Sequence, residues 1–372
     1  MGKSYKRRTI KKRKLRGGKF VASGSAGCIF RPALKCAGSN TRRNGYVSKM
    51  GSKKTINDEW ITSNTPRRIN TESQYFVYPT ERCRLGALNA SNEQEKCDVK
   101  NIGTEILQLP DGGVDLSKMV VPYEEIAAFF EGFVNIFDGI ALLHSRGYAH
   151  RDIKLANMVG IRNDNGTYKL RLIDFGLSDT FDNLIYYPRE SNYEYWSYEM
   201  RLLSRSYGYS NKDINDFMNT LNFKRFPRWL YENPDGTSKL TRDFVQSLNS
   251  KIHSSRNNKL HIIKASEVYA LGRCLFEIWY TSTSYIVSKL PVTTLATASS
   301  ASASSLKLDG LLTGGTIIKS RSSDRDIPPE ISELVFSLVA EMCQIDPFKR
   351  LSLDDAKVRL TRLIPFLYTV LI

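Results

Sequence analysis

Acid is absent from the first nineteen residues, a stretch that carries ten Lys or Arg. Such a segment buries too little apolar surface to offset the entropy of ordering it, so residues 1–19 are expected to form a disordered basic arm. The net charge is +16 over 372 residues, and taking the arm's ten charges away leaves +6 for the rest. The basicity therefore belongs to the arm and not to the folded part. An arm of this kind suits nucleic acid or another polyanion, an anionic membrane or an import receptor; the plain alternative is a solubilising tail. Lys6 stands where an N-myristoylation signal needs Ser or Thr, which removes that reading of the Met-Gly start.

Other absences narrow the field further. No apolar segment follows the basic start, so no secretory signal is expected. The apolar closing stretch, residues 363–372, is too short to span a bilayer and reads as a packed helix or strand. The six cysteines form no C-x-x-C spacing and do not cluster with the four histidines. A zinc site is disfavoured on that ground, and the cysteines read as buried or free thiols in a reducing compartment. No RNA- or DNA-reading motif and no aromatic stacking platform accompanies the arm. The composition, 41% hydrophobic and 25% charged, is otherwise ordinary for a globular chain long enough for two or three lobes.

What is present is concentrated in one loop. His150-Arg151-Asp152-Ile153-Lys154-Leu155-Ala156-Asn157 places a Lys two residues and an Asn five residues after an Asp, and Asp174-Phe175-Gly176 follows the apolar run Leu170–Ile173. An isolated Asp loop is usually a turn. The ordered pair instead fits phosphoryl transfer, which needs positioning and charge neutralisation more than covalent chemistry. Asp152 can orient or accept a hydroxyl proton, and Lys154 can meet charge on the transferred phosphate. Asn157 and Asp174 offer oxygen ligands to a hard cation, Mg²⁺ or Mn²⁺.

Upstream residues supply a nucleotide site. Phe20–Phe30 reads as two short strands around small residues, with Ala22, Gly24, Gly27 and Ile29 at the positions of a phosphate-covering glycine loop; Ala22 replaces its first glycine. A plain hairpin turn is the alternative. Tyr46-Val47-Ser48-Lys49 ends a strand on a Lys, whose partner on the next helix is Glu59, or failing that Asp58; Pro66 is expected to truncate that helix. Residues 75–79 read as a strand, and 106–116 as a strand running into a hinge where Leu107, Gln108 and Leu109 are candidate adenine contacts. Apolar residues at three- and four-residue spacing from Glu124 to His144 predict an amphipathic helix, in which Glu131 and Asp138 argue against a membrane span.

In this order the motifs resemble those of the eukaryotic-type protein kinase superfamily, over residues 20–199 and 266–355. Glu199 stands at the glutamate of its A-P-E motif with Ser197-Tyr198 before it, Arg350 at the arginine of D-P-x-x-R, and Glu267 where the D-V-x-S-L-G helix has Asp. Residues 27–36, 46–49 and 75–79 more narrowly resemble the kinases of nucleocytoplasmic large DNA viruses. The resemblance implies an α+β, bilobal fold, with an N-lobe over 20–116 and a mainly helical C-lobe over 117–372, interrupted by insertions near 201–265 and 283–325. It implies an ATP- and Mg²⁺-dependent enzyme acting on Ser or Thr of protein substrates, since Lys154 follows the pattern of that group. It further implies a virus-encoded enzyme of host cytoplasm or nucleus, carried in the virion. Arg151 resembles the arginine that pairs with an activation-segment phosphate, with Thr180 and Ser191 as candidates; Asp182, Glu190 and Glu194 could supply that charge unmodified. Ala22, Glu267 and Ser197-Tyr198 keep open the alternative of a pseudokinase scaffold, and the arm that of a polyanion-binding protein.

Overall fold

The computed structural model describes residues 18–24, 27–39, 43–69, 74–86, 97, 105–188, 196–204, 237–283 and 329–371. Most of the basic arm, Ser191 with Glu190 and Glu194, residues 205–236 and the low-complexity run 293–305 lie outside the described residues. The chain divides into two compact units: residues up to Asn64 with Val77–Asp111, and Thr65–Phe76 with Gly112 onward. The division falls at 111/112, not 116/117, because Val114 and Asp115 pair with a strand of the second unit.

The first unit is a five-stranded antiparallel sheet: β1 (Lys19–Gly24), β2 (Gly27–Arg31), β3 (Tyr46–Gly51), β4 (Glu81–Arg84) and β5 (Glu105–Pro110), in the order β1-β2-β3-β5-β4. Its core gathers Cys28, Phe30, Leu34, Met50 and Ile106, with Phe20 and Leu85 packed against them. Ser52 then starts α1 (Lys53–Thr62) by accepting a hydrogen bond from the Thr55 amide at 3.1 Å. The helix ends at Ser63, ahead of Pro66. Pro66 sits in the first turn of α2 (Asn64–Ile69), where its missing N–H removes no intrahelical bond.

Four of the six cysteines are not thiols. Cys28 is joined to Cys97 and Cys36 to Cys83, with Cα separations of 5.9 and 5.6 Å. The sheet order brings residues 69 and 47 positions apart into one core, a juxtaposition that cysteine spacing alone does not reveal. Cys274 and Cys343 are the free, buried pair. Burial pushes both thiols up, Cys343 to about 12.

In the second unit β6 (Val114–Asp115), β8 (Met158–Arg162) and β9 (Tyr168–Leu172) form a three-stranded sheet in the order β6-β8-β9, and β7 (Tyr148–Ala149) pairs with β10 (Asp179–Thr180). The predicted amphipathic helix is α3 (Ile126–Ser145), which buries Phe130, Phe133, Phe137 and Ile140. At Gly132 it approaches β9 so closely that a Cβ would lie 2.7 Å from the Tyr168 carbonyl oxygen. The stretch Tyr123–Ser145 is long and apolar enough to cross a membrane, but 61% of its most apolar window is buried, and Asp138 pairs with Lys357. The remaining described helices are α4 (Phe181–Tyr186), α5 (Glu199–Ser204), α6 (Arg242–His253), α7 (Arg256–Thr283), α8 (Pro329–Met342) and α9 (Leu353–Leu371). The apolar C-terminal stretch is thus the end of a helix that packs on α3.

One expectation is corrected. Residues 75–79 are not a strand: Phe76 makes one parallel bridge to Leu172 and the chain then leaves, because the face of Phe76 is taken up by Phe175. The described residues 237–265 of the stretch expected as a polar insertion are largely helical. Thr241 caps α6, whose Val245, Leu248 and Ile252 are buried at helical spacing among polar neighbours, and residues 256–265 open the 28-residue α7.

Peptide mapping of the unreduced protein should recover Cys28–Cys97 and Cys36–Cys83 as linked pairs, with Cys274 and Cys343 alkylated only after unfolding. Recovery of all six as free thiols in the native protein would contradict the pairing.

Candidate active site

In the first unit, β3 carries Lys49 inward and α1 turns Ile56 and Glu59, three residues apart, toward the sheet. The Lys49 ammonium lies 2.6 Å from the Glu59 carboxylate, and both side chains are about nine-tenths covered. Asp58 is on the exposed side of the helix. A nearly buried charge pair is weak evidence of stability, since desolvation offsets much of its attraction.

The hairpin β1–β2 places Ala22 opposite Ile29 and Gly24 opposite Gly27. Gly27 has φ +140°, and a Cβ there would lie 2.4 Å from the Met50 carbonyl oxygen. Close packing of β2 on β3 therefore requires glycine at this position, whatever lies over the turn. Leu107, Gln108 and Leu109 lie inside β5, paired with Lys49, Ser48 and Val47 of β3. Leu107 and Gln108 also face β4; the Gln108 carbonyl accepts from the Thr80 amide, and its side chain donates to the Leu34 carbonyl. The hinge residues expected for adenine are thus strand residues whose polar groups are largely engaged, and the chain leaves the sheet only after Pro110.

In the second unit, the loop 150–157 is built around one carboxylate. Asn157 donates from Nδ2 to the Asp152 carbonyl at 2.9 Å and to Asp152 Oδ2 at 2.6 Å, while Lys154 Nζ stands 3.1 Å from both Asp152 oxygens. With both of those bonds made from Nδ2, the amide oxygen of Asn157 is the atom left to offer a cation. The Asn157 carbonyl accepts from the Ile173 amide, and His150 Nε2 pairs with the Ile173 carbonyl at 3.1 Å, which makes Nε2 the protonated nitrogen. These bonds tie the loop to the chain entering Asp174. Asp174 sits at φ 61° and accepts from the Gly176 amide. Phe175 packs on His150 and, edge-on, against Phe76, at centroid distances of 4.9 and 5.3 Å. Asp152, Lys154, Asn157 and Asp174 are thus brought into one connected segment.

Two supports were not legible as such. Glu267 of α7 accepts from the Arg151 amide at 2.7 Å with one oxygen and meets His144 Nε2 at 2.6 Å with the other. Burial pushes the Glu267 carboxyl up, but the His144 contact and the Arg151 amide outweigh it and hold the group below its usual range. The sequence marks Glu267 only as a departure from pattern, and nothing local signals His144 as its partner. Trp196 is the other: its indole N–H donates to the Arg151 carbonyl at 2.6 Å. Farther out, Arg350 pairs with Glu199 at 2.5 Å, both side chains almost wholly buried, and donates to the Ala265 carbonyl. Tyr198, in place of the usual proline, donates its hydroxyl to the Ile345 carbonyl. Thr180 uses its hydroxyl to cap α4, accepting from the Asn183 amide.

Residues 114–214 match the protein kinase domain family, a stretch that contains the whole loop and Asp174. The chain is 26% identical over 163 residues to the stress-activated protein kinase jnk-1 of Caenorhabditis elegans, covering 44% of this chain and 32% of that protein. It is 36% identical over 72 residues to the serine/threonine-protein kinase chk1 of Schizosaccharomyces pombe, covering 19% of this chain and 12% of that protein, and 44% identical over 59 residues to that organism's serine/threonine-protein kinase ppk8, covering 16% and 10%. The matched segments span a third or less of these relatives' lengths. With a five-stranded sheet ahead of a mainly helical part, the fold is the α+β fold of protein kinases.

Two outcomes follow from these buried groups. Arg350→Ala leaves the Glu199 carboxylate buried without its partner and should destabilise the fold by about 3–5 kcal/mol in urea titrations. Glu267 has a folded pKa below its unfolded value, so its contribution is present above about pH 4.5 and is lost as pH falls through the lower folded value. The stability difference between wild type and Glu267→Gln should therefore be full at pH 7 and shrink below about pH 4.5. A gap independent of pH would contradict the charge contact.

Proposed function

We propose that the protein is a Ser/Thr protein kinase that transfers the γ-phosphoryl group of ATP to hydroxyls of protein substrates. The observation that carries this reading is the Asp152 carboxylate, mostly buried and fixed by Asn157 and Lys154 in a segment connected to Asp174. A carboxylate oriented in this way can align a substrate hydroxyl and take its proton as the oxygen–phosphorus bond forms and ADP departs. Lys154 stands where it can meet the charge spread over the transferred group, and its ammonium, 3.1 Å from both carboxylate oxygens, helps orient Asp152. Asn157 and Asp174 present the amide and carboxylate oxygens that suit Mg²⁺ or Mn²⁺, a donor set without sulfur or imidazole. Such an ion, when bound, would neutralise charge on the phosphates. Lys49, held by Glu59, is the residue assigned to the α- and β-phosphates, with Ala22, Gly24, Gly27 and Ile29 on the covering hairpin and Leu107, Gln108 and Leu109 toward the base.

Serine or threonine specificity is supported by Lys154 within the H-R-D-I-K run. The departures at Glu267 and Tyr198 favour an active enzyme over a scaffold, since each side chain makes a hydrogen bond to the main chain, Glu267 to the Arg151 amide and Tyr198 to the Ile345 carbonyl. Virus origin and a role for the basic arm in binding polyanions belong to the same reading and are supported by sequence segments alone.

With ATP, Mg²⁺ and a mixed protein substrate, the wild type should label Ser and Thr. Asp174→Ala and Asp152→Asn should each lower turnover by roughly 10²–10³-fold or more while leaving the melting temperature near that of wild type. Label found only on Tyr, or turnover unchanged in Asp174→Ala, would refute the assignment.

A further inference from the structure

Arg151 immediately precedes the carboxylate that the proposed transfer depends on, and it sits at φ 66°, the left-handed region that a residue with a Cβ avoids. A backbone in that region persists only where its surroundings hold it. One hold is Glu267, which accepts from the Arg151 amide. The other hold comes from the segment after the described stretch that ends at Pro188. Trp196 donates its indole N–H to the Arg151 carbonyl at 2.6 Å, while the Arg151 guanidinium carbon lies 4.4 Å from the centroid of the indole ring. That carbonyl belongs to the peptide whose nitrogen is the Asp152 amide. A single side chain therefore grips both the main chain and the side chain of Arg151.

We propose that Trp196 is a positioning residue for the candidate active site: it fixes the Arg151–Asp152 peptide, and hence the direction of the Asp152 carboxylate, by an aromatic contact that needs no chemical modification. The inference rests on the kinase reading and adds to it a means by which the site is set. Tryptophan suits the task because its indole has a donor at one edge and a face attractive to a cation. Of the described Ser and Thr hydroxyls after Asp174, Thr180 caps α4 and Ser178 donates to the His150 carbonyl. Asp182, the described acid considered as a charge partner for Arg151, instead pairs with Arg256.

The test uses the full chain prepared free of phosphate, verified by intact mass, as wild type, Trp196→Phe and Trp196→Leu. Steady-state kinetics with ATP, Mg²⁺ and a protein substrate are read together with hydrogen exchange of peptides covering 148–154. Phosphate-free wild type should turn over. Trp196→Leu should lower kcat roughly 10–100-fold, the scale of a misplaced reacting group, with the KM for ATP within about twofold and with faster exchange at 148–154. Trp196→Phe keeps the ring face but loses the N–H, so it should fall between the two. A Trp196→Leu enzyme with wild-type kcat and wild-type exchange overturns the proposal, as does a wild type that turns over only when residues 177–198 carry phosphate. A general loss of folding is recognised by exchange rising throughout the chain, in which case the Trp196→Phe comparison decides. If wild type fails to turn over at all, the kinase reading falls, while the local exchange difference still decides whether Trp196 holds the peptide.

Discussion

The left-handed backbone at Arg151 is the constraint on which the rest of the second unit depends. Holding a residue with a Cβ there costs about 1–2 kcal/mol, and a hydrogen bond from an amide to a buried carboxylate returns about 1.5–3 kcal/mol. The bond from the Arg151 amide to Glu267 therefore outweighs the strain, but only while Glu267 itself stays charged and fixed. His144 secures it from the other side. The two ends of this arrangement come from α3 and α7, long helices packed through buried aromatic and aliphatic side chains. The apolar stripe of α3 does more than fill a core: it places His144 at the height of the loop, and the loop then presents Asp152.

That dependence explains what could be read in advance. The motif residues Asp152, Asn157 and Asp174 are close in sequence, and the contacts that join them are local, so spacing alone brings them together. Lys49 and Glu59 lie on adjacent elements, and the choice of Glu59 over Asp58 is settled by helical phase, because Ile56 and Glu59 share the buried face. The helix 126–145 was legible because its period is long and regular. Glu267 and Trp196 stand 116 and 45 residues from their partner Arg151. A carboxylate that replaces Asp by one methylene, or a tryptophan in a polar stretch, carries no local sign of a distant main-chain partner. At the strand expected over 75–79, the Phe76 ring packs against Phe175, and a single bridge to Leu172 is all the strand pairing there.

In the first unit β1, β2, β3 and β5 were legible in the sequence, while β4 and the chemistry of the cysteines were not. A small sheet has limited surface to bury, and a sheet whose outer segments are joined by long connections gains from covalent ties across those connections. Cys28 and Cys36 lie on or just beyond β2, and their partners Cys83 and Cys97 lie in and beyond β4, at the far edge of the sheet order. Each bridge closes a loop that includes β3 and α1, and so encloses the residues that hold Lys49 and Glu59 together. Cysteine counting points to thiols because it has no access to strand order; strand order converts the same residues into ties.

The departures from the kinase pattern at Glu267 and Tyr198 share a physical form. In each, the side chain that stands in the usual residue's place is longer or carries an extra polar group, and that reach is used on a main-chain atom elsewhere. Glu267 spans to Arg151, and the Tyr198 hydroxyl reaches the Ile345 carbonyl beside the Glu199–Arg350 pair. Buried polar groups stabilise only when they are matched, and an unmatched one costs about 1–3 kcal/mol. Here the replacements rebuild contacts around Arg151 and Glu199, while Asp152, Lys154, Asn157 and Asp174 keep the residue types that phosphoryl transfer needs. Glu267 thus bonds the Arg151 amide from a position where the resembling pattern has Asp, and that bond holds the peptide leading into Asp152.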